Sequence, residues 1–181
     1  MEKTRTSPAC DRDPKLPCSK IMPTLPRLTT LVFTLAWGTA TLAWAEADFQ
    51  KGLAAYNAGD FAIALKEWKP LAEQGLAKAQ HNLGVMYYNG RGVSQNYAEA
   101  LRWYRLAAEQ GFGLAQYNLG VMYAEGRGVK RDYVQAHMWY SLAGKHGDEK
   151  GLSSRDAIEK MMTPADVAKA QKLARAWKPK K

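Results

Sequence analysis

The sequence predicts an all-α protein: a right-handed α-solenoid of about three stacked antiparallel helix pairs, closed by a C-terminal capping helix. Three observations support this prediction. A 36-residue stretch is written twice without a gap, apolar residues recur in it at helical spacing, and glycines return at the same register in both copies. Self-similarity at such a period is typical of stacked repeats, in which each unit buries its apolar face against its neighbour.

The two copies cover 76–111 and 112–147. They share the sequence N-L-G-V-M-Y, the loop sequence G-R-G-V and a later W-Y pair. In the first copy, Ala79, Leu83 and Met86 fall on one face of a helix, and a second apolar stripe follows after the loop. Each copy is therefore predicted to form one helix pair.

A degenerate copy precedes these two, with helices predicted over 47–57 and 61–74. Its Ala64 and Trp68 lie 36 residues before the equivalent residues of the next copy, but its connector is four residues shorter. At the other end, the sequence Thr163-Pro164 is typical of a helix start. The apolar stripe of that last helix is predicted to cap the final repeat.

Glycines recur at three registers of the repeat. One lies inside each first helix, where it costs about 1 kcal/mol relative to alanine, so we expect it to allow the close approach of a neighbouring helix. The next is placed to end that helix in the left-handed conformation, and the third extends the connector. In that order, these structural glycines are Gly84 and Gly120, Gly90 and Gly126, and Gly92 and Gly128.

The first 45 residues differ in composition from the rest and hold both cysteines. Arg27 is followed by an uncharged, mostly apolar run that ends in Ala-Trp-Ala, directly before Glu46. This pattern predicts a secretory signal peptide that starts at Met22 and is cleaved after Ala45, which would place the protein in the periplasm. An uncleaved membrane anchor is the alternative, because about 18 residues are just enough to span a bilayer.

The chain is thus divided into an extension with a signal peptide (1–45), a repeat solenoid (46–147), and capping helices with a basic tail (148–181). The formal charge is +9, and +6 of it lies after Ala45, dispersed along the chain. Without a clustered basic stripe, this charge argues against nucleic-acid binding.

We find no sequence pattern for catalysis, for a metal site or for a cofactor. His81, His137 and His146 lack the spacing of zinc ligands, and no cysteine follows Ala45 in the sequence. No serine lies in a nucleophile elbow, and G-R-G lacks the context of a phosphate loop. The loop arginines Arg91 and Arg127 are interpreted as solvated charges, with partner contact as the alternative. The tryptophans of the second helices are predicted to lie in the core.

The pattern A-x-x-x-L-G-x-x-Y, then G-x-G-V, then Y-x-x-A-x-x-W-Y-x-x-A and a closing glycine resembles the Sel-one-like repeat family, a subclass of tetratricopeptide-like α-solenoids. The ending, from M-T-P-A-D to A-R-A-W, is similar to that of small secreted bacterial members. The resemblance implies a non-catalytic adaptor or scaffold that binds another protein. Two alternatives stay open: an accessory protein or enzyme in cell-wall processing, and a homo-oligomeric structural protein.

The resemblance also implies that the first helices line the concave face and contact the partner. Aromatic and apolar groups with amide side chains suit an extended peptide or a partner helix. Differences between the copies on this face, such as His81 against Tyr117 and Tyr88 against Ala124, are predicted to govern partner choice. The expected contact residues are Phe49, Leu53 and Tyr56 in the first repeat, Lys78, His81, Asn82, Val85 and Tyr88 in the second, and Leu114, Tyr117, Asn118 and Val121 in the third.

If the signal peptide is cleaved as predicted, the exported protein begins at or near Glu46. Mass spectrometry of the intact protein from the cell envelope measures this directly. A mature N-terminus elsewhere, or a chain that keeps the apolar run, would contradict the cleavage site.

Overall fold

The computed structural model describes residues 45–145 and 148–180. The predictions for the extension, the start at Met22 and the apolar run fall on 1–44 and lie outside the described residues. The same holds for the boundary between solenoid and cap, which was placed after Gly147.

The described residues form helices and no strands, as the sequence predicts. Helix α1 covers 45–58, and α7 and α8 form the C-terminal end. The helices pair as α1 with α2, α3 with α4, and α5 with α6, and the second helices α2, α4 and α6 each pack against the helix that follows. The remaining bounds are α2 Phe61–Glu73, α3 Ala77–Asn89, α4 Tyr97–Glu109, α5 Gly113–Glu125, α6 Tyr133–Lys145, α7 Glu149–Glu159 and α8 Pro164–Ala176.

The first helices of the two full repeats end at a left-handed glycine, as predicted. Gly90 and Gly126 have φ of 69° and 73°. The next residue in each loop donates its main-chain N–H to a carbonyl of the last helical turn, from Arg91 to Met86 and from Arg127 to Met122. These bonds satisfy carbonyl groups that a helix end leaves without a partner. The loop therefore leaves α3 and α5 in the same direction.

The glycine inside each first helix lies against an aromatic ring of the paired second helix. A Cβ on Gly84 would come within 2.5 Å of Tyr104, and one on Gly120 within 2.6 Å of Tyr140. The degenerate repeat has the same contact, because a Cβ on Gly52 would lie 2.4 Å from the indole of Trp68. The predicted close approach is confirmed, and the structure extends it to the first repeat.

The later loop glycines contact the preceding repeat. Cβ atoms on Gly92 and Gly128 would lie 2.7 Å from Phe61 and 2.5 Å from the carbonyl oxygen of Tyr97, at the starts of α2 and α4. From the sequence, these glycines were predicted only to extend the loop. Their second role, contact between repeats, was missed.

The tryptophans of the second helices are buried, as predicted. Trp68, Trp103 and Trp139 are 1%, 5% and 7% exposed. Trp68 Nε1 donates to the main-chain oxygen of Phe49 at 3.1 Å, which ties α2 to α1. The second helices therefore supply the bulk of the core.

Helix α8 caps the last full repeat, as predicted. Thr163 accepts a hydrogen bond from the main-chain N–H of Asp166 at the start of the helix. Ala170 and Ala174 are buried, and Trp177 meets Trp139 of α6 edge to face at 6.2 Å. The basic tail is held as well, because Lys180 donates its main-chain N–H to Glu109 O at 2.7 Å and its Nζ to the Glu109 carboxylate at 2.9 Å.

Replacing Gly84 by alanine is expected to lower the free energy of unfolding by up to about 2 kcal/mol. Overpacking against the buried ring costs about 1–3 kcal/mol, and the helix propensity of alanine offsets roughly 1 kcal/mol of this cost. Chemical denaturation of Gly84→Ala, Tyr104→Leu and the double variant measures the effect. The smaller side chain of Tyr104→Leu should relieve the clash with the alanine. If the loss of unfolding free energy in the double variant equals the sum of the losses in the two single variants, the contact is contradicted.

Candidate functional site

Two adjacent cavities lie along the first helices, and we call them together the first-helix groove. The first has a volume of about 220 Å³ and lies between α1 and α3, and the second has about 370 Å³ and lies between α3 and α5. Val85 lines both. The first is lined by Leu53, Tyr56, Asn57, Trp68, His81, Asn82 and Val85, and the second by Val85, Tyr88, Asn89, Tyr104, Tyr117, Asn118 and Val121.

All but three of the predicted contact residues line this groove. Lys78 lies at its edge, where its Nζ is 3.4 Å from a Glu46 carboxylate oxygen, and Leu114 is 55% exposed outside both cavities. The structure contradicts the prediction for Phe49, which is 7% exposed and stacks on Trp68 with 5.9 Å between ring centroids. The Lys78 ammonium also lies over the Phe49 ring, 5.5 Å from its centroid, so that the ring is covered instead of lining the groove.

Sequence reasoning missed four residues that line the groove. Two come from second helices, the buried rings of Trp68 and Tyr104. The other two are the exposed amides Asn57 and Asn89, each of which follows a groove tyrosine at the end of its first helix. The Tyr-Asn pair that recurs at both helix ends is the sequence signal that could have found them.

His81 connects neighbouring repeats at the centre of the groove. Its Nδ1 lies 3.1 Å from Asn82 Oδ1, and its Nε2 lies 3.1 Å from the side-chain nitrogen of Asn118 on α5. The ring packs against Tyr104 and Phe112. Burial lowers the pKa of His81, and the hydrogen bond to Asn82 offsets part of this effect. The imidazole is therefore neutral at pH 7.

The loop arginines clamp each full repeat onto the one before it. Arg91 donates to the Tyr56 hydroxyl at 2.7 Å, and its guanidinium lies over the rings of Tyr56 and Phe61. Arg127 donates to the Tyr88 hydroxyl and lies over Tyr88 and Tyr97. Both arginines keep contact with solvent, as predicted for loop charges. The prediction missed that each guanidinium also extends back across the repeat boundary to an aromatic pair.

The clamp also changes the meaning of the difference between Tyr88 and Ala124. Tyr88 receives the arginine of the next repeat, whereas Ala124 packs near Ile158 and Met162 of the C-terminal end. The small residue leaves room for the cap at a position where the clamp ends. The two positions therefore differ in packing as well, and a role of this difference in partner choice stays a prediction.

A separate crevice of about 460 Å³ at α6, α7 and α8 brings together Ser141, His137 and Glu159. His137 Nε2 is 3.1 Å from Glu159 Oε2, and its Nδ1 is 3.4 Å from Ser141 Oγ. Serine, histidine and a carboxylate can support nucleophilic catalysis. Here the Ser141 hydroxyl donates to the main-chain oxygen of His137 at 2.8 Å, and the imidazole is only 1% exposed. The contacts thus describe a tie between α6 and α7.

Within 45–145 and 148–180, no three or more histidine, cysteine, aspartate or glutamate side chains are grouped so that they could hold a metal ion. None of the helices in this described part is both long and apolar enough to cross a membrane.

Stacked helix pairs with a repeated glycine register and a groove along the first helices define a repeat protein of the α-solenoid class. The sequences 77–112 and 113–148 each match the Sel1 repeat. The resemblance stated from the sequence is therefore confirmed, and the chain contains two Sel1 repeats. Sel1 repeats commonly mediate protein–protein interactions.

Solved structures similar to this chain include a protective antigen of uropathogenic Escherichia coli strains that displays an SLR fold. The two are 32% identical with a TM-score of 0.72, over 78% of this chain and 32% of the antigen. A Sel1 repeat protein from Oxalobacter formigenes is 37% identical with a TM-score of 0.59, over 63% of this chain and 49% of that one. The chain thus spans about a third and about half of these proteins' lengths. A search of curated proteins finds no match.

Replacing Arg127 by glutamine is expected to lower the free energy of unfolding by about 1–2 kcal/mol, because it removes a hydrogen bond and a cation–π contact between repeats. Arg131→Gln is the control, since Arg131 lies over Tyr133 within its own repeat. Urea denaturation should show a clearly smaller change for the control. Equal changes in the two variants would argue against the clamp.

Proposed function

We propose that this chain is a non-catalytic interaction module of the cell envelope that binds an extended peptide segment of another protein in the first-helix groove. The observation that carries the proposal is the groove itself, which runs across three first helices and combines apolar and aromatic walls with amide side chains. Concave sites with apolar walls and a few placed polar groups are typical of ligand-binding surfaces.

The amides favour an extended peptide over a partner helix. Asn82 and Asn118 occupy equivalent positions in successive repeats, and both line the groove. A helix has already paired its main-chain N–H and C=O groups, whereas an extended segment still offers them. The apolar side chains of such a segment would enter the two cavities on either side of Val85.

The envelope location rests on the sequence alone. The positive flank at Arg27, the apolar run and the small residues before Glu46 support export across the inner membrane. The repeats would then act as an adaptor or scaffold outside the cytoplasm.

A bulky side chain at the groove edge is expected to block binding. Asn57 and Asn89 are exposed and line the first and second cavity, so Asn57→Trp and Asn89→Trp each fill one cavity with little effect on the core. Peptides selected by display on the purified protein should lose about tenfold or more in affinity for at least one variant, which calorimetry measures.

Ile63→Trp is the matched control, because Ile63 is 46% exposed on α2 and lines neither cavity. Its affinity should equal that of the unchanged protein. Selected peptides that bind both groove variants at full affinity would show that the partner uses another surface.

A further inference from the structure

His81 occupies a position that is aromatic in the other repeats. Phe49, His81 and Tyr117 are equivalent, and each ring packs on the aromatic residue of its second helix, with centroids 5.9, 5.8 and 5.6 Å apart. Of these three rings, the imidazole alone carries hydrogen-bonding nitrogen atoms. The middle repeat therefore has a ring whose own atoms can donate and accept hydrogen bonds and can change charge.

The partners of His81 determine which of its nitrogens carries the proton. The Asn118 side-chain nitrogen has hydrogens and no acceptor capacity, so it donates to Nε2 at 3.1 Å. The neutral ring then keeps its hydrogen on Nδ1, which donates to Asn82 Oδ1 at 3.1 Å. One chain of hydrogen bonds thus runs from α5 through His81 to Asn82 with a single direction.

The direction of these hydrogen bonds determines which side-chain atoms of Asn82 and Asn118 remain available to a ligand in the groove. Asn118 Oδ1 and the Asn82 side-chain nitrogen have no partner among the described residues. One is an acceptor and the other a donor. A peptide unit in an extended segment presents the complementary pair, an N–H and a C=O.

We propose that His81 sets the hydrogen-bond polarity of the groove, so that its neutral form selects the main chain of an extended peptide and its protonated form releases it. This inference rests on the proposed function of the groove. His81 acts through Asn82 and Asn118 and is therefore a positioning residue.

Protonation reverses the bond between His81 and Asn118. An imidazolium donates from both nitrogens, so Nε2 needs an acceptor. Asn118 can supply it only by turning its amide, which places Oδ1 on the ring and the NH₂ group in the groove. Asn82 and Asn118 then both turn NH₂ groups towards the peptide, and the peptide N–H loses the acceptor that Asn118 Oδ1 provided, at a cost.

His81 is expected to be the group that changes charge in the pH range of the switch. Tyr104 packs on its ring, and burial raises the pKa of this phenol. Lys78, one turn earlier on α3, is paired with Glu46. Hydrogen bonding from Gln50 and the charge of Lys78 hold the pKa of Glu46 below its usual value. Because burial lowers the pKa of His81, the switch is expected below about pH 6.5.

The switch itself is tested without any partner. In ¹⁵N NMR spectra of the purified protein, the His81 ring should be protonated on Nδ1 alone at pH 7.5, and both nitrogens should carry protons at low pH. The side-chain NH₂ signals of Asn118 should shift with the same midpoint. An Nε2-protonated neutral ring, or Asn118 signals that do not follow the ring, would overturn the inference whether or not the groove binds peptides.

The effect on binding is tested with a display-selected peptide at pH 7.5 and at one pH unit below the midpoint that NMR gives for His81. Affinity should fall about tenfold at the lower pH for the unchanged protein. It should stay nearly constant for His81→Tyr, which copies the equivalent residue Tyr117, and for His81→Gln. The same loss in both variants would overturn the role of His81. If the Asn118 amide turns with pH as expected but the protein binds no peptide, the proposed function is contradicted and the switch is not.

Discussion

The contact between a glycine in each first helix and an aromatic ring in its second helix is the constraint on which the rest of the structure depends. It recurs as Gly52 with Trp68, Gly84 with Tyr104, and Gly120 with Tyr140. A ring that lies directly on a helix backbone fixes how far apart the two helices are. Because the same contact recurs in three successive pairs, the groove-lining sides of α1, α3 and α5 lie next to one another. The groove forms between them.

Features that recur with the period of the repeat could be predicted from the sequence. Features that depend on how far an individual side chain extends could not. The helix pairs, the left-handed glycines, the buried tryptophans and most groove residues follow from spacing. The burial of Phe49 did not, because its ring is enclosed by the side chains of Trp68 and Lys78. The arginine clamps were missed for a similar reason, since Arg91 meets a tyrosine 35 residues earlier in the chain.

The arginine clamps and the groove amides have different roles on this surface. Arg91 and Arg127 are engaged with the tyrosines of the preceding repeat, so their main role is to hold neighbouring units in register. The polar groups with free capacity on the groove are amides, which carry no net charge. A surface of this kind discriminates by hydrogen-bond direction and shape more than by the charge of its ligand. This makes the orientation of Asn82 and Asn118 the property on which recognition would depend.

The tail contact has a consequence for the order in which the chain folds. Most contacts in this fold join a helix to the next one or two in sequence, and local contacts of this kind close quickly. Lys180 and Glu109 lie 71 residues apart, and their contact requires the second and third repeats and α8 to be in place already. It therefore forms after the stack and is the first to open, so amides at the C-terminal end exchange with solvent while those of the inner helices remain protected.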